Sequence, residues 1–136
     1  MSGKDVQEFL EEWTHDPRGV RPVFQALAEY LKERGAVTEL KVRPEVSISL
    51  RAGLAEQKVR PLFCLVDVVE DAEGRWLSVC FYAQAVTDPE ERGDVVPQGL
   101  LGEDGYCFDV DSPDPELDRY LKPRIEESVR FARNQG

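Results

Sequence analysis

PLFCLVDVVEDAEGRWLSVCFYAQAV, residues 61–86, is the stretch that decides how this chain folds. Pro61–Glu70 and Arg75–Val86 are rich in Val, Phe, Leu and Tyr, the residues that suit a pleated, half-buried surface. The polar run Asp71-Ala72-Glu73-Gly74 between them predicts a tight hairpin. Successive strand side chains point to opposite faces. The first strand therefore divides into Leu62, Cys64, Val66, Val68 and Phe63, Leu65, Asp67, Val69. The second divides into Leu77, Val79, Phe81, Ala83, Ala85 and Trp76, Ser78, Cys80, Tyr82, Gln84. Cross-strand neighbours share a side, so the two wholly apolar sets are matched, with Val66 near Val79 and Cys64 near Phe81. This side is expected to lie under helices. The other side pairs Phe63 with Tyr82, Leu65 with Cys80, Asp67 with Ser78 and Val69 with Trp76.

Upstream, the apolar period is first helical and then alternating. Val6, Phe9, Leu10 and Trp13 make an amphipathic helix of Asp5–Trp13. His15-Asp16-Pro17-Arg18-Gly19 interrupts it. A second helix runs from Pro22 to Arg34, with Val23, Phe24, Leu27, Ala28, Tyr30 and Leu31 inward and Gly35 as its stop. Thr38, Leu40 and Val42 then alternate with Glu39, Lys41 and Arg43, and Val46, Ile48 and Leu50 alternate with Ser47, Ser49 and Arg51. These are two further strands, the first ended by Pro44 or placed by it on an edge, and residues 53–60 are a connection. Downstream, residues 87–104 have no sustained period and are expected to be a long loop, with Thr87-x-x-Glu90 capping one helical turn. Tyr106–Asp111 is a final strand. Asp114 opens a C-terminal helix on the stripe Leu117, Leu121, Ile125, Ser128, Ala132, with Pro123 expected to bend it. The chain therefore reads as one α+β domain spanning residues 1–136: an antiparallel sheet of about five strands, with two N-terminal helices and one C-terminal helix packed on one face.

Gross composition excludes several function classes. The chain has 136 residues, 17 Lys and Arg against 27 Asp and Glu, and a net charge of −10, which repels phosphate backbones and anionic headgroups. Neither nucleic acid nor a membrane is an expected partner. The N-terminal residues lack the apolar run of a secretory signal, and no apolar stretch approaches the roughly 20 residues of a membrane helix. Three cysteines in no C-x-x-C spacing, Cys64, Cys80 and Cys107, argue against a disulfide framework or zinc site and favour a reducing, cytoplasmic setting.

Individual candidates for chemistry mostly have simpler explanations. Cys80 and Cys107 would form a redox pair if their strands adjoin, but free strand cysteines are usually small buried hydrophobes. His15, at a helix end, reads as a capping group rather than a base. Asp109-Val110-Asp111-Ser112-Pro113-Asp114 lacks the glycine and final glutamate of a calcium loop, and Asp114 fits a helix N-cap better. Gly99-Leu100-Leu101-Gly102 lacks the Lys-Ser/Thr of a phosphate loop. No metal, cofactor or catalytic set is expected.

What remains is the mixed sheet side. Arg51, Phe63, Asp67, Trp76, Ser78, Cys80, Tyr82 and Asp109 combine aromatic walls with a few polar groups, as partner-binding and ligand-binding surfaces both do. The leading expectation is a protein-interaction or homodimer module using this side. The alternative is a small anionic-ligand-binding protein or enzyme, with Arg51, which Asp67 or Asp109 could instead neutralise, in a pocket closed by residues 87–104 through Val95-Val96-Pro97 and Leu100-Leu101.

Overall fold

The computed structural model describes residues 5–43 and 47–135. In chain order these form α1 (Val6–Glu12), α2 (Arg21–Glu33), β1 (Val37–Arg43), β2 (Ser47–Gly53), β3 (Cys64–Asp71), β4 (Gly74–Tyr82), a 3-10 turn at Ala83–Ala85, β5 (Asp94–Leu100), β6 (Glu103–Val110) and α3 (Pro115–Gln135). The strands make one six-stranded sheet of order β1-β2-β3-β4-β6-β5, antiparallel at every step. The fold is α+β with the expected helices and one strand more than expected. Val46, predicted to open the second strand, lies outside the described residues.

Local chemistry sets the helix ends. Asp5 caps α1 by accepting the Glu8 N–H at 2.7 Å. Asp16 accepts the N–H groups of Val20 and Arg21 at 3.0 and 2.9 Å, anchoring the first turn of α2, where Pro22 sits without needing a donor. The chain leaves α2 through Gly35 at φ +89°, a conformation glycine adopts without Cβ strain. Asp114 accepts from Glu116 and Leu117 N–H at 3.1 and 3.2 Å, the N-cap role its position implied. Pro123 lies inside α3, which continues through it to Gln135.

All three helices bury their apolar stripes on one face of the sheet. Phe9, Trp13, Phe24, Leu27, Leu31, Leu121, Ile125 and Val129 share a single core with Leu50, Val66, Val68, Leu77, Val79, Phe81, Phe108 and Val110. The hairpin has the anticipated register: Val66 opposite Val79, Leu65 opposite Cys80, Asp67 opposite Ser78, Val69 opposite Trp76. The valine-rich side faces the helices and the tryptophan side faces away. Both strands carry an unbroken apolar set on one side only, so a one-residue slip would expose it.

The sequence reading of residues 87–104 differs from the structure. Thr87 opens no helical turn; its N–H and hydroxyl both go to Glu127 of α3, at 2.9 and 2.6 Å. Beyond it the chain does not form a lid over the hairpin, and of the residues expected to close it only Leu100 is buried there, against Leu62 and Tyr82. It forms β5, pairing with β6 through a turn at Leu101 and Gly102, both at positive φ (51° and 89°). A two-residue hairpin turn of this hand demands that conformation at both positions. Val95 and Leu101 remain about half exposed (53% and 51%), so they cover nothing. β5 carries Pro97 and a register shift between Val96 and Leu100.

Asp88 fixes where β5 begins. Its carboxylate accepts the Tyr120 and Tyr106 hydroxyls at 2.5 and 2.6 Å and the N–H groups of Gly93 and Arg92 at 2.8 and 2.9 Å. Burial works against its charge, but the four donors outweigh burial and hold the carboxyl well below the usual range. Reciprocally, the hydrogen bond to Asp88 and then burial push the Tyr106 phenol up to about 12. A second tie, from Tyr30 of α2 and its C-cap Arg34 to Glu126 of α3 at 2.5 and 3.0 Å, joins the long helices.

Candidate functional site

Among the described residues no helix covers the second face of the sheet, and strand pairing lays out its side chains in rows. One row runs Arg43, Ser47, Val69, Trp76. The next runs Lys41, Ser49, Asp67, Ser78, Asp109. The third runs Glu39, Arg51, Leu65, Cys80, Cys107, Asp94. Seven of the eight side chains singled out from sequence, Arg51, Asp67, Trp76, Ser78, Cys80, Tyr82 and Asp109, therefore share this face. Their common side follows from one period-2 pattern carried across four strands through three antiparallel pairings.

Phe63 is the exception. It and its neighbour Cys64 both lie in the helix-side core, so alternation breaks at the start of β3. The backbone is held there by Phe63 N–H to Ala52 O at 2.7 Å and by the buried Ser128 hydroxyl donating to Phe63 O at 2.6 Å. Leu62 takes the expected place of Phe63 beside Tyr82, in a small cluster completed by Leu100, Leu65 and Ala85. The Arg60 guanidinium lies between the rings of Tyr82 and Phe131, 5.1 and 5.0 Å from their centroids, and pairs with Glu103 at 2.9 Å. One end of the face is thus closed by Leu62, Leu100 and Arg60. Leu100 was expected to cover this face, whereas Leu62 was expected on the helix side and Arg60 in a connection.

The rest of the face is open, partly apolar and unevenly charged. Trp76, Leu65 and Val69, on the central strands β3 and β4, are half-buried. Asp67 accepts from the buried Ser49 hydroxyl and lies 3.9 Å from Arg43, which also donates to Ser47 at 3.0 Å. Asp67 is therefore occupied and does not neutralise Arg51. Arg51 is half-buried, and its Nε–H is shielded from solvent without an acceptor, a costly state for a charged donor. Lys41, Arg43 and Arg51 make the β1–β2 flank basic, with Glu39 opposite Arg51. The β6–β5 flank is acidic: Asp109 is held above the ordinary carboxylate range by desolvation, then by the charges of Asp94 and Asp111. Among the described residues Lys41, Arg51, Asp94, Asp109 and Asp111 form no ion pair.

Cys80 and Cys107 sit directly opposite each other on β4 and β6, Cα atoms 4.1 Å apart, and are joined by a disulfide. This corrects the expectation drawn from cysteine count. Three cysteines in no recognisable spacing still leave two that register places face to face, and the count no longer supports a reducing compartment. Cys64 alone is free; it lies buried on the helix side, where desolvation pushes its thiol up.

Among the described residues no three His, Cys, Asp or Glu side chains are grouped to hold a metal ion, and no helix is long and apolar enough to cross a membrane. No known protein family, curated protein or solved structure matches the chain.

Proposed function

We propose that this chain works by binding through its helix-free sheet face, and that the occupant is a second copy of the chain stacked face to face. The observation that carries the reading is the segregation of unpaired opposite charges to the two flanks of one uncovered, partly apolar surface. A two-fold axis parallel to the strands and midway between two stacked sheets reverses the strand order of one over the other. The basic β1–β2 flank of each copy then lies over the acidic β6–β5 flank of the other. Trp76, Leu65 and Val69 meet near the centre, where interfaces concentrate aromatic anchors. The orphan Arg51 Nε–H gains a carboxylate partner. From strand spacing and rise the face measures roughly 600 Å² per copy, so a pair buries about 1,200 Å², within the range of specific interfaces.

A second reading has one observation in its favour. The same unsatisfied Arg51 donor suits the carboxylate or phosphate of a small anionic ligand, bound beside Tyr82. Solution mass across a concentration series separates the two. The dimer reading expects a concentration-dependent dimer that Trp76→Asp dissolves. Arg51→Glu and Asp109→Lys should each weaken it, and both substitutions in one chain should restore it, because each reversed flank again meets its opposite. A monomer at all concentrations refutes self-association. A tryptophan-fluorescence response to small anions, abolished by Arg51→Ala, would then establish the ligand reading.

A further inference from the structure

The disulfide joins two strands already paired on both sides of it, from Leu77 opposite Val110 to Tyr82 opposite Gly105. On the helix side that pairing is backed by Val79, Phe81, Phe108 and Val110, all in the core. The bond is therefore not what holds β4 to β6. It also lies on the uncovered face, and its two sulfurs are not equivalent. Cys107 is half-buried, while Cys80 is only 6% exposed and has the Ser78 hydroxyl 3.4 Å from its Sγ. In thiol–disulfide exchange the accessible sulfur is attacked, and the leaving sulfur is the one best able to carry negative charge. A hydroxyl beside Cys80 supplies a donor to that departing thiolate. The approach to Cys107 is flanked by carboxylates: Asp94 is its partner on β5, and Asp109 stands two residues along β6 on the same side.

We propose that the Cys80–Cys107 bond is a site of reversible thiol–disulfide exchange in the folded protein, attacked at Cys107 and selective for cationic or neutral small thiols over anionic ones. The incoming thiolate bonds to Cys107 Sγ, the Sγ–Sγ bond breaks, and its electron pair goes to Cys80 Sγ, which takes a proton. A second small thiol attacks the mixed disulfide at the small-molecule sulfur and releases Cys107 as a thiol. The net change is protein disulfide plus two small thiols to protein dithiol plus one small disulfide, which returns the bond when in excess. The selectivity arises because Asp94 and Asp109 repel an approaching anion at a range where salt screens only partly.

The test compares cysteamine with glutathione on the native full-length protein, kept dilute and repeated on Trp76→Asp so that self-association does not shield the face. Expected results are reduction without loss of near-UV circular dichroism, a first mixed disulfide mapped by mass spectrometry to Cys107, and a cysteamine preference several-fold larger than in the urea-unfolded chain. Asp94→Asn with Asp109→Asn should abolish the excess preference, and Ser78→Ala should slow the first step several-fold. Reduction only as fast as global unfolding, a mixed disulfide on Cys80, or the same thiol preference folded and unfolded would each overturn the inference.

Discussion

Replacing Asp88 by Asn tests the node that docks the segment before β5. The side chain keeps its shape but loses its charge, and one oxygen becomes an amide that cannot accept. Each Asp88 oxygen now receives one phenol and one backbone N–H: Tyr120 and Arg92 on Oδ1, Tyr106 and Gly93 on Oδ2. A phenol can turn its hydroxyl to accept instead, but a backbone N–H cannot, so one donor is orphaned whichever way the amide points. An unsatisfied donor plus the loss of charge assistance costs roughly 2–4 kcal/mol at neutral pH. At an unfolding entropy of about 2 cal/mol/K per residue, that corresponds to a fall in Tm on the order of 10 °C.

The pH dependence is sharper than the magnitude. The Asp88 carboxyl is depressed on folding, so its contribution is complete above its unfolded value and is lost as pH falls below about 4. Tyr106 is raised to about 12, so its contribution is complete below the ordinary phenol value and is lost as pH climbs through about 12. Urea melts of both proteins between pH 2.5 and 11 should therefore show a gap that is widest between about pH 5 and 9 and narrows at both ends. A gap below about 0.5 kcal/mol at pH 7, or one independent of pH, would refute the assignment of Asp88 as the organising charge.

Two further substitutions probe the scaffold beneath the face. At Gly74 the backbone has φ +116°, and an added Cβ would sit 2.5 Å from Pro17 Cγ, so Gly74→Ala should destabilise by at least about 2 kcal/mol in thermal or urea melts. Wild-type stability in that variant would show that the hairpin turn and the Pro17 loop do not pack together. Ser128→Ala removes the buried donor to Phe63 O and should cost about 1–2 kcal/mol. Because that bond holds the irregular entry to β3, faster amide exchange at residues 62–64 should accompany the loss, and unchanged exchange there would sink the explanation.

The hairpin was legible because its two strands each carry one unbroken apolar side, which leaves a single register that hides both. That was enough to place Asp67, Ser78, Cys80, Trp76 and Tyr82 on one face. Arg51 and Asp109 followed because β2 and β6 obey the same alternation next to β3 and β4. Phe63 failed because two consecutive residues turn inward where the chain enters β3, an offset imposed by Ala52 and Ser128, which are distant in sequence. β5 was missed because Pro97, Gly99 and a leucine in a left-handed turn are signals of irregular chain, and its pairing depends on β6 already being in place. The disulfide and the segregated charge are likewise products of strand order, with β6 rather than β5 beside β4.

The two rims of the sheet are unequal, and that limits how copies could join side by side. At the β5 rim Pro97 lacks an amide hydrogen and the register shift breaks the ladder, so an added strand would find no regular template. The β1 rim is regular, with Val37 and Val42 well exposed and Lys41 and Arg43 as its charged guards. Lateral growth is therefore one-ended. Two copies meeting rim to rim through β1 would use up the sole competent edge on each, and the assembly would terminate at a pair instead of propagating into a fibre.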